Sequence, residues 1–361
     1  MEKGGRLRST SFFISLYLME KLLELADIAL MPAITNNGNT QDKNDFGVVD
    51  SDGVVSLPIF TSPVDSILNM SNWKEWEKSG IKPVLPRTLP IEQRLEGCQY
   101  IFAAFSKKEV DEHFLGRGKR ISQYQFHICI DPGNGHDVSI LQLAQRLKQM
   151  YSSQANIMAG NIGNAKIYPD YCKAGIDYVR VGMSTGSLVN PDKYGFYTPL
   201  ASLLIDIAGL KQTACVGLKL TKVVADGGII THSDILKCLA LGADFVMCGR
   251  AFVRLLEASG TLYRKIKSPE GKDILEAVSP DIAKTATTLK ELNLRRCYYG
   301  NTTIDSNKSK FIDSKTDWVE VISTLPTWLN KLYDVFNYGF MMAGAKNWGE
   351  FKNNIRYGRI Q

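Results

Sequence analysis

The sequence predicts an α/β protein, a (β/α)8 TIM barrel with a flap inserted after the eighth strand. Three observations predict it. Eight short apolar, β-rich segments alternate with helical patterns along the chain. The segments are near-continuous in apolar residues rather than alternating, as strands of a parallel sheet buried on both faces are. After the eighth, a stretch rich in Lys, Ser, Thr and Asp, residues 261–325, breaks the rhythm and reads as an insertion or flap.

The strands fall in order. Ser56–Thr61 (SLPIFT) is the first, Pro83–Leu85 the second and Tyr100–Ala104 the third. Phe126–Ile130 (FHICI), Asn156–Ala159, Tyr178–Val181, Lys222–Ala225 and Phe245–Met247 complete the set. Helical patterns lie between them at Ser139–Tyr151, Ala165–Ala174, Thr198–Ala208, Ser233–Ala240 and Ala251–Ala258. Eight units without a Rossmann-type break favour a closed barrel over an open sheet. Trp318–Phe351 reads as helical, with Trp328, Leu329, Leu332, Phe336 and Phe340 at helical spacing, closing the barrel from outside. Residues 27–361 thus form one barrel domain. Residues 1–26 are an N-terminal extension, its apolar run 11–19 continuing as an amphipathic helix into Glu20–Ala26.

Composition excludes several classes. With 361 residues, of which 44% are hydrophobic and 22% charged, the chain can bury a sizeable core. The net charge of +6, from 43 Lys+Arg against 37 Asp+Glu, suits a small anionic ligand. The basic residues are scattered. The one short cluster, Arg117-Gly118-Lys119-Arg120, reads as a solvated loop, and no nucleic-acid partner is expected. Seven cysteines, an odd number with no CxxC pair, make neither a disulfide framework nor a zinc site and point to the reducing cytoplasm. The run 11–19 is too short to span a bilayer, so no membrane association is expected.

In a barrel, functional groups sit on the loops after the carboxyl ends of the strands. The strongest signal there is VVADGGI at Val223–Ile229 followed by GADFVMCGR at Gly242–Arg250. Asp226 ends a strand, and Gly227 and Gly228 clear the backbone for an anion. Gly249 turns the next strand into a helix start, so two adjacent loops form a phosphate corner. VRVGMSTGS at Val179–Ser187 adds candidate donors at Gly182, Gly186 and Ser187. In CIDPGNGHD at Cys129–Asp137, Asp131 ends a strand, and Gly133 and Gly135 leave room for a ring or a ribose. His136 is a loop histidine that reads more readily as a hydrogen-bonding residue than as an acid/base. In IFTSPVDS at Ile59–Ser66, Asp65 reads as a helix cap.

These motifs together resemble the IMP dehydrogenase/GMP reductase family, from about DIALMP at Asp27 to MAGAKNWGEF at Met342–Phe351. IMAGNI at Ile157–Ile162 and CYYGNTT at Cys297–Thr303 belong to the same series. No insertion of regulatory CBS size fits between the first strands, and the resemblance leans towards GMP reductase. It implies a purine nucleoside monophosphate as ligand, NADP or NAD as cofactor, a monovalent cation near the 187–191 loop, and a homotetramer. It implies that Asp226 binds the ribose hydroxyls, that Ser187, Gly228, Gly249 and Tyr298 surround the phosphate, and that Gly300, Asn301 and Thr302 line the base. Gly227 belongs to the same substrate loop. Asp131, Asn134 and Gly135 would face the nicotinamide, and Glu257 matches the family's glutamate near the reaction centre. Arg250 stands where the family usually has Ser or Gly, so a guanidinium would either pair with the phosphate or crowd it.

The departure from the pattern is chemical. The family's nucleophilic cysteine position holds Val189, and its catalytic threonine position holds Pro191. Valine cannot attack a purine carbon, and proline has neither hydroxyl nor N–H. Of the other thiols, Cys248 and Cys297 read as buried side chains rather than substitutes. The sequence therefore carries two expectations: an NAD(P)-dependent oxidoreductase with altered or weakened chemistry, and a purine-nucleotide-binding protein without turnover.

Overall fold

The structure, a computed structural model, describes residues 22–34, 46–116, 125–132, 134–183, 195–285, 287–298 and 317–360. All eight expected strands are present: β1 (Ile59–Thr61), β2 (Val84–Leu85), β3 (Phe102–Phe105), β4 (Phe126–Ile130), β5 (Ala155–Ile162), β6 (Tyr178–Val181), β7 (Lys222–Asp226) and β8 (Phe245–Cys248). They form one parallel sheet in the order β1-β8-β7-β6-β5-β4-β3-β2. The ring is joined where β1 meets the residue leading into β2: Thr61 N–H donates to Lys82 O and Lys82 N–H to Ile59 O, both at 2.9 Å. The fold is a TIM barrel.

The period-two alternation of each strand decides what lies inside. Phe60, Phe102, Tyr178 and Phe245 point inward and fill the middle of the barrel, with Phe60 5.1–5.8 Å from the other three ring centroids. Cys129, Met158, Val224 and Met247 pack with them. Their outward-facing neighbours, such as Ile128, Ile157, Val179 and Val223, belong to the larger core under the helices. These are α1 (Trp73–Lys78), α2 (Ile91–Gly97), α3 (Lys107–Phe114), α4 (Val138–Tyr151), α5 (Tyr168–Lys173), α6 (Leu200–Thr213), α7 (His232–Ala240) and the single turn α8 (Arg250–Val253). Local chemistry starts several of them. Asp137 caps α4 by accepting Ser139 N–H, and Thr231 with Asp234 forms a capping box on α7.

The long helix α9 (Leu325–Ala343) buries Trp328, Leu332, Phe336 and Phe340, the residues whose spacing predicted it. It begins at Leu325, not Trp318, and ends on Gly344 in the left-handed region at φ 58°. A second helix, α10 (Trp348–Asn354), follows. The expected helix Ala251–Ala258 is only the turn α8, because its chain leaves the helix at Arg254 to pack against the loop after β1. Residues 22–24 are not helical; they lead into a 3-10 turn at Leu25–Asp27, so no α-helix runs to Ala26, and residues 1–21 lie outside the described residues. Beyond that turn, Ile28–Met31 pairs antiparallel with Arg356–Arg359 near the chain's other end.

The flap has a sheet of its own. Strands β9 (Leu262–Lys267), β10 (Asp273–Val278), β11 (Leu294–Tyr298) and β12 (Asp317–Glu320) pair antiparallel in the order β10-β9-β11-β12. Leu262, Leu292, Leu294 and Val321 form a small core beneath it. Arg296 is 1% exposed and donates to the carbonyls of Val253, Leu255, Leu256 and Gly260, at 2.5–3.2 Å, riveting this sheet to the barrel.

The amino-terminal end of the barrel is closed by a polar plug. The hairpin Val48–Val49/Val55–Ser56 presents Asp50, Ser51 and Asp52 to the strand starts. Asp50 pairs with Lys82, Ser51 N–H donates to Tyr178 Oη at 2.9 Å, and Asn156 Nδ2 donates to Asp52 Oδ2 at 2.8 Å. His127 sits among them, 3.2 Å from Asn156 Nδ2. Burial first, and the Lys82 charge second, drive its imidazole down to about 4 from 6.5, while Asp50 and Asp177 pull the other way. A histidine held neutral by the fold favours the unfolded state once acid can charge it there. Stability is therefore complete above pH 6.5 and declines as pH falls towards 4, by up to about 3 kcal/mol from this group. Urea unfolding at about pH 7 and about pH 4.5 should show His127→Gln losing less stability on acidification than the unsubstituted protein; equal losses would contradict this.

Candidate active site

The carboxyl-terminal end of the barrel holds a charged cluster that strand alternation dictates. Along β6, Tyr178 points inward, so Arg180 does too; along β4, Cys129 points inward, so Asp131 follows; along β7, Val224 points inward, then Asp226. The position between β4 and β6 is Gly160 of β5, paired in register with Arg180. A Cβ on Gly160 would lie 2.5 Å from Arg180 O and 2.7 Å from Arg180 Cβ, so only glycine fits beneath the arginine. The guanidinium therefore reaches across β5. Arg180 Nη1 lies 2.6 Å from Asp131 Oδ1, and Nε and Nη2 lie 2.9 and 2.8 Å from Asp226 Oδ2. Asn161 Nδ2 donates to the same Asp226 oxygen at 2.8 Å, and Arg87 Nη1 donates to Asp131 O at 3.0 Å.

Arg180 is 8% exposed. Burial works against its charge, but Asp226 and then Asp131 outweigh that and hold its proton affinity well above the ordinary value. The neighbouring Cys129 thiol is pushed up by burial to about 12 and is inert as a nucleophile at neutral pH. The sequence singled out both aspartates and missed the arginine that joins them. The signal was a lone charge in the apolar strand YVRV.

The second part of the site is the glycine corner. Gly227 and Gly228 have φ of 115° and 72°, conformations closed to most side chains, at the end of β7. Gly249 follows β8. A Cβ there would lie 2.5 Å from Tyr298 Oη and 3.2 Å from Ser62 Oγ, so two hydroxyls from the flap and from the loop after β1 converge on this glycine. Tyr298 is buried. Burial and then the Asp226 charge raise its hydroxyl above the ordinary value, keeping it a donor. Arg250 forms an ion pair with Asp317, the cross-strand partner of Tyr298 in the β11–β12 register.

The other residues singled out by the sequence are placed as follows. Gly182 N–H donates to Ile162 O at 2.9 Å; the sheet ladder consumes it, so it is no phosphate donor. A Cβ on Gly135 would sit 2.3 Å from Asn161 O, so the space beside it is taken by the end of β5 rather than left for a ring. His136 is structural: Nε2 accepts the N–H groups of Gly163 and Asn164, each at 3.1 Å, which leaves the Nδ1 proton for Asn134 Oδ1 at 3.0 Å. Asp65 caps no helix, since α1 starts only at Trp73; its carbonyl accepts Ser259 Oγ. Cys248 is buried with its thiol raised by burial, and Cys297, partly exposed, is raised likewise. Glu257 Oε2 accepts Leu325 N–H at 2.8 Å at the start of α9, and its carbonyl accepts Asn72 Nδ2 at 3.0 Å. Burial raises its carboxyl above the usual range. Its bonds go to the start of α9 and to Asn72, not to Asp131, Arg180 or Asp226. Gly133, Gly186, Ser187, Val189, Pro191, Gly300, Asn301 and Thr302 lie outside the described residues. Among the described residues no group of three or more His, Cys, Asp or Glu is placed to hold a metal ion, and no helix is long and apolar enough to cross a membrane.

A sequence profile described as "IMP dehydrogenase / GMP reductase domain" matches residues 100–360, which include every member of the Asp131–Arg180–Asp226 cluster. The chain belongs to the IMP dehydrogenase/GMP reductase family. It is 26% identical over 319 residues to the GMP reductase of Bacillus subtilis, covering 80% of this chain and 94% of that one. It is 27% identical over 249 residues to a GMP reductase of Helicobacter pylori, covering 66% and 73%. With the inosine-5'-monophosphate dehydrogenase of Chlorobaculum parvum it shares 29% over 238 residues, 64% of this chain and 45% of that protein's length. Within the family frame, this chain's mouth combines a bridged pair of carboxylates with a corner of glycines and hydroxyls. Chemically, the first can accept hydrogen bonds and the second can donate them.

Proposed function

We propose that this barrel binds a purine nucleoside monophosphate at its carboxyl-terminal mouth and is an NAD(P)-dependent oxidoreductase whose chemistry is weakened by the loss of the nucleophile. The observation that carries the reading is the adjacency of two features. Asp226, locked by Arg180 and Asn161, stands beside the Gly227–Gly228 turn and near the Tyr298 hydroxyl that meets Gly249. A ribose on Asp226 puts its 5'-phosphate into that corner, where backbone amides, Ser62 and Tyr298 donate to it. Arg180 does not touch the sugar in this reading; it fixes the orientation of the carboxylate that does.

The cofactor side rests on Asp131 and Asn134. Asp131 gives Oδ1 to Arg180 and keeps a second oxygen that can accept from a nicotinamide ribose hydroxyl, while Asn134, its Oδ1 taken by His136, can offer its amide N–H, so the residues present fit such a group. When bound, a nicotinamide dinucleotide supplies the hydride chemistry. The chain's own contributions are positioning and proton handling. Arg180 couples Asp131 to Asp226, so the two sugar-binding carboxylates share one fixed geometry. Glu257, with its carboxyl raised by burial, can hold a proton closer to neutral pH than an ordinary glutamate. Val189 forms no covalent bond to the purine, so substrate is held non-covalently throughout. The family resemblance supports a cytoplasmic homotetramer.

A second reading, a nucleotide-binding protein without turnover, is favoured by one specific observation: Val189 and Pro191 together remove both the thiol and the hydroxyl from the loop. One experiment separates the two. The protein is mixed with GMP and NADPH, or with IMP and NAD, and the cofactor absorbance is followed. The first reading expects slow, nucleotide-dependent cofactor consumption that Glu257→Gln abolishes. Nucleotide binding with no consumption favours the second, and turnover that survives Glu257→Gln removes that residue from the mechanism.

A further inference from the structure

The ion pair between Arg250 and Asp317 occupies the rim of the phosphate corner. Arg250 follows Gly249 directly, and Asp317 lies across the β11–β12 ladder from Tyr298, whose hydroxyl abuts Gly249. The pair thus brackets the Tyr298 hydroxyl. Both side chains are about one-third exposed, at 29% and 34%, so the pair is neither sealed in the core nor free in solvent. A guanidinium at such a place is a natural phosphate ligand. A carboxylate at the same place is an obstacle, because it repels an incoming dianion.

We propose that Arg250 is a specificity-determining phosphate ligand held in reserve by Asp317, so that a phosphate ester must displace Asp317 from the guanidinium in order to bind. This rests on the mononucleotide reading above and deepens it. The exchange is of partners only; no covalent bond changes. Asp317 shields Arg250 from weak or singly charged anions. A phosphate dianion, with more charge and three acceptor oxygens, competes for the fork of N–H donors where a carboxylate ligand has no advantage over Asp317 itself. The corner therefore discriminates between nucleoside and nucleotide by charge, at the cost of some affinity for the nucleotide.

The test is calorimetric titration of the full chain with GMP, guanosine and inorganic phosphate, using the unsubstituted protein, Asp317→Asn and Arg250→Gln. A charge-assisted hydrogen bond corresponds to roughly tenfold or more in affinity. Asp317→Asn should tighten GMP by roughly that factor while leaving guanosine unchanged, and Arg250→Gln should weaken GMP by a similar factor, again without effect on guanosine. A purely structural pair would move both ligands together, or neither. Asp317→Glu, which keeps the charge, should behave like the unsubstituted protein; if it does not fold, Asp317→Asn still decides. GMP binding that Asp317→Asn leaves unchanged or weakens overturns this proposal alone. An unsubstituted protein that gives no heat with GMP overturns both it and the mononucleotide reading.

Discussion

Replacing Arg180 by methionine is expected to destabilise the protein by about 3–5 kcal/mol and to abolish nucleotide binding. The guanidinium is buried and answers two carboxylates from strands on either side of Gly160. Methionine fills much of the volume but leaves Asp131 and Asp226 facing each other without a counter-charge. The loss is that of an orphaned buried charge rather than of a contact, because a well-made buried pair contributes little net stability by itself. Asp226→Asn added to Arg180→Met should recover part of the loss by removing one of the two charges. Arg180→Lys should rescue little, since an ammonium has no fork to span both partners. Urea unfolding measures all four, and a destabilisation of Arg180→Met below about 1 kcal/mol would show that the cluster is solvated and not a constraint.

The second large effect is a gain. Restoring a thiol and a hydroxyl with Val189→Cys and Pro191→Thr together should raise nucleotide-dependent cofactor consumption by at least about a hundredfold over the unsubstituted protein. The reasoning is that the remaining parts act as a unit. Removal of a nucleophile from an otherwise intact site costs several orders of magnitude, and most of that returns only if the sugar, phosphate and proton-handling groups are still aligned. Val189→Cys alone should return less, because Pro191 also removes an N–H from the loop. Rates measured with GMP and NADPH, and with IMP and NAD, check this. No rise in the double variant would mean that the mouth has diverged beyond the 187–191 loop.

Much of the scaffold was legible because burial leaves a periodic record. Each barrel strand alternates between the inner core and the helix layer, and segments such as FHICI and YVRV carry that pattern at full strength. Asp131 and Asp226 were legible for the same reason: each is the residue at which an apolar strand stops. Arg180 was not, since it sits inside a strand and its partners come from β4 and β7, a relation that only the closed barrel creates. Gly160 hid in the same way, its role being the space it leaves for a residue of the next strand. Trp318–Glu320 read as the start of a helix because an amphipathic helix follows closely, whereas the pairing of Asp317–Glu320 with the strand Leu294–Tyr298 is long-range. The flap's polar composition masked a sheet whose small core is four residues. His136 resolved towards its plainer reading: its ring is spent on backbone amides, and nothing in the local sequence distinguishes that from an acid/base role.

The account's central claim is that a mononucleotide is gripped at the barrel mouth by its sugar and its phosphate together. Isothermal titration of the unsubstituted protein with GMP, and then of Asp226→Ala, tests it most directly. The expected result is a single site for GMP that Asp226→Ala weakens by roughly a hundredfold, the loss of hydrogen bonds to a charged acceptor. Equal GMP affinity in the two proteins, or no heat from either, would contradict it.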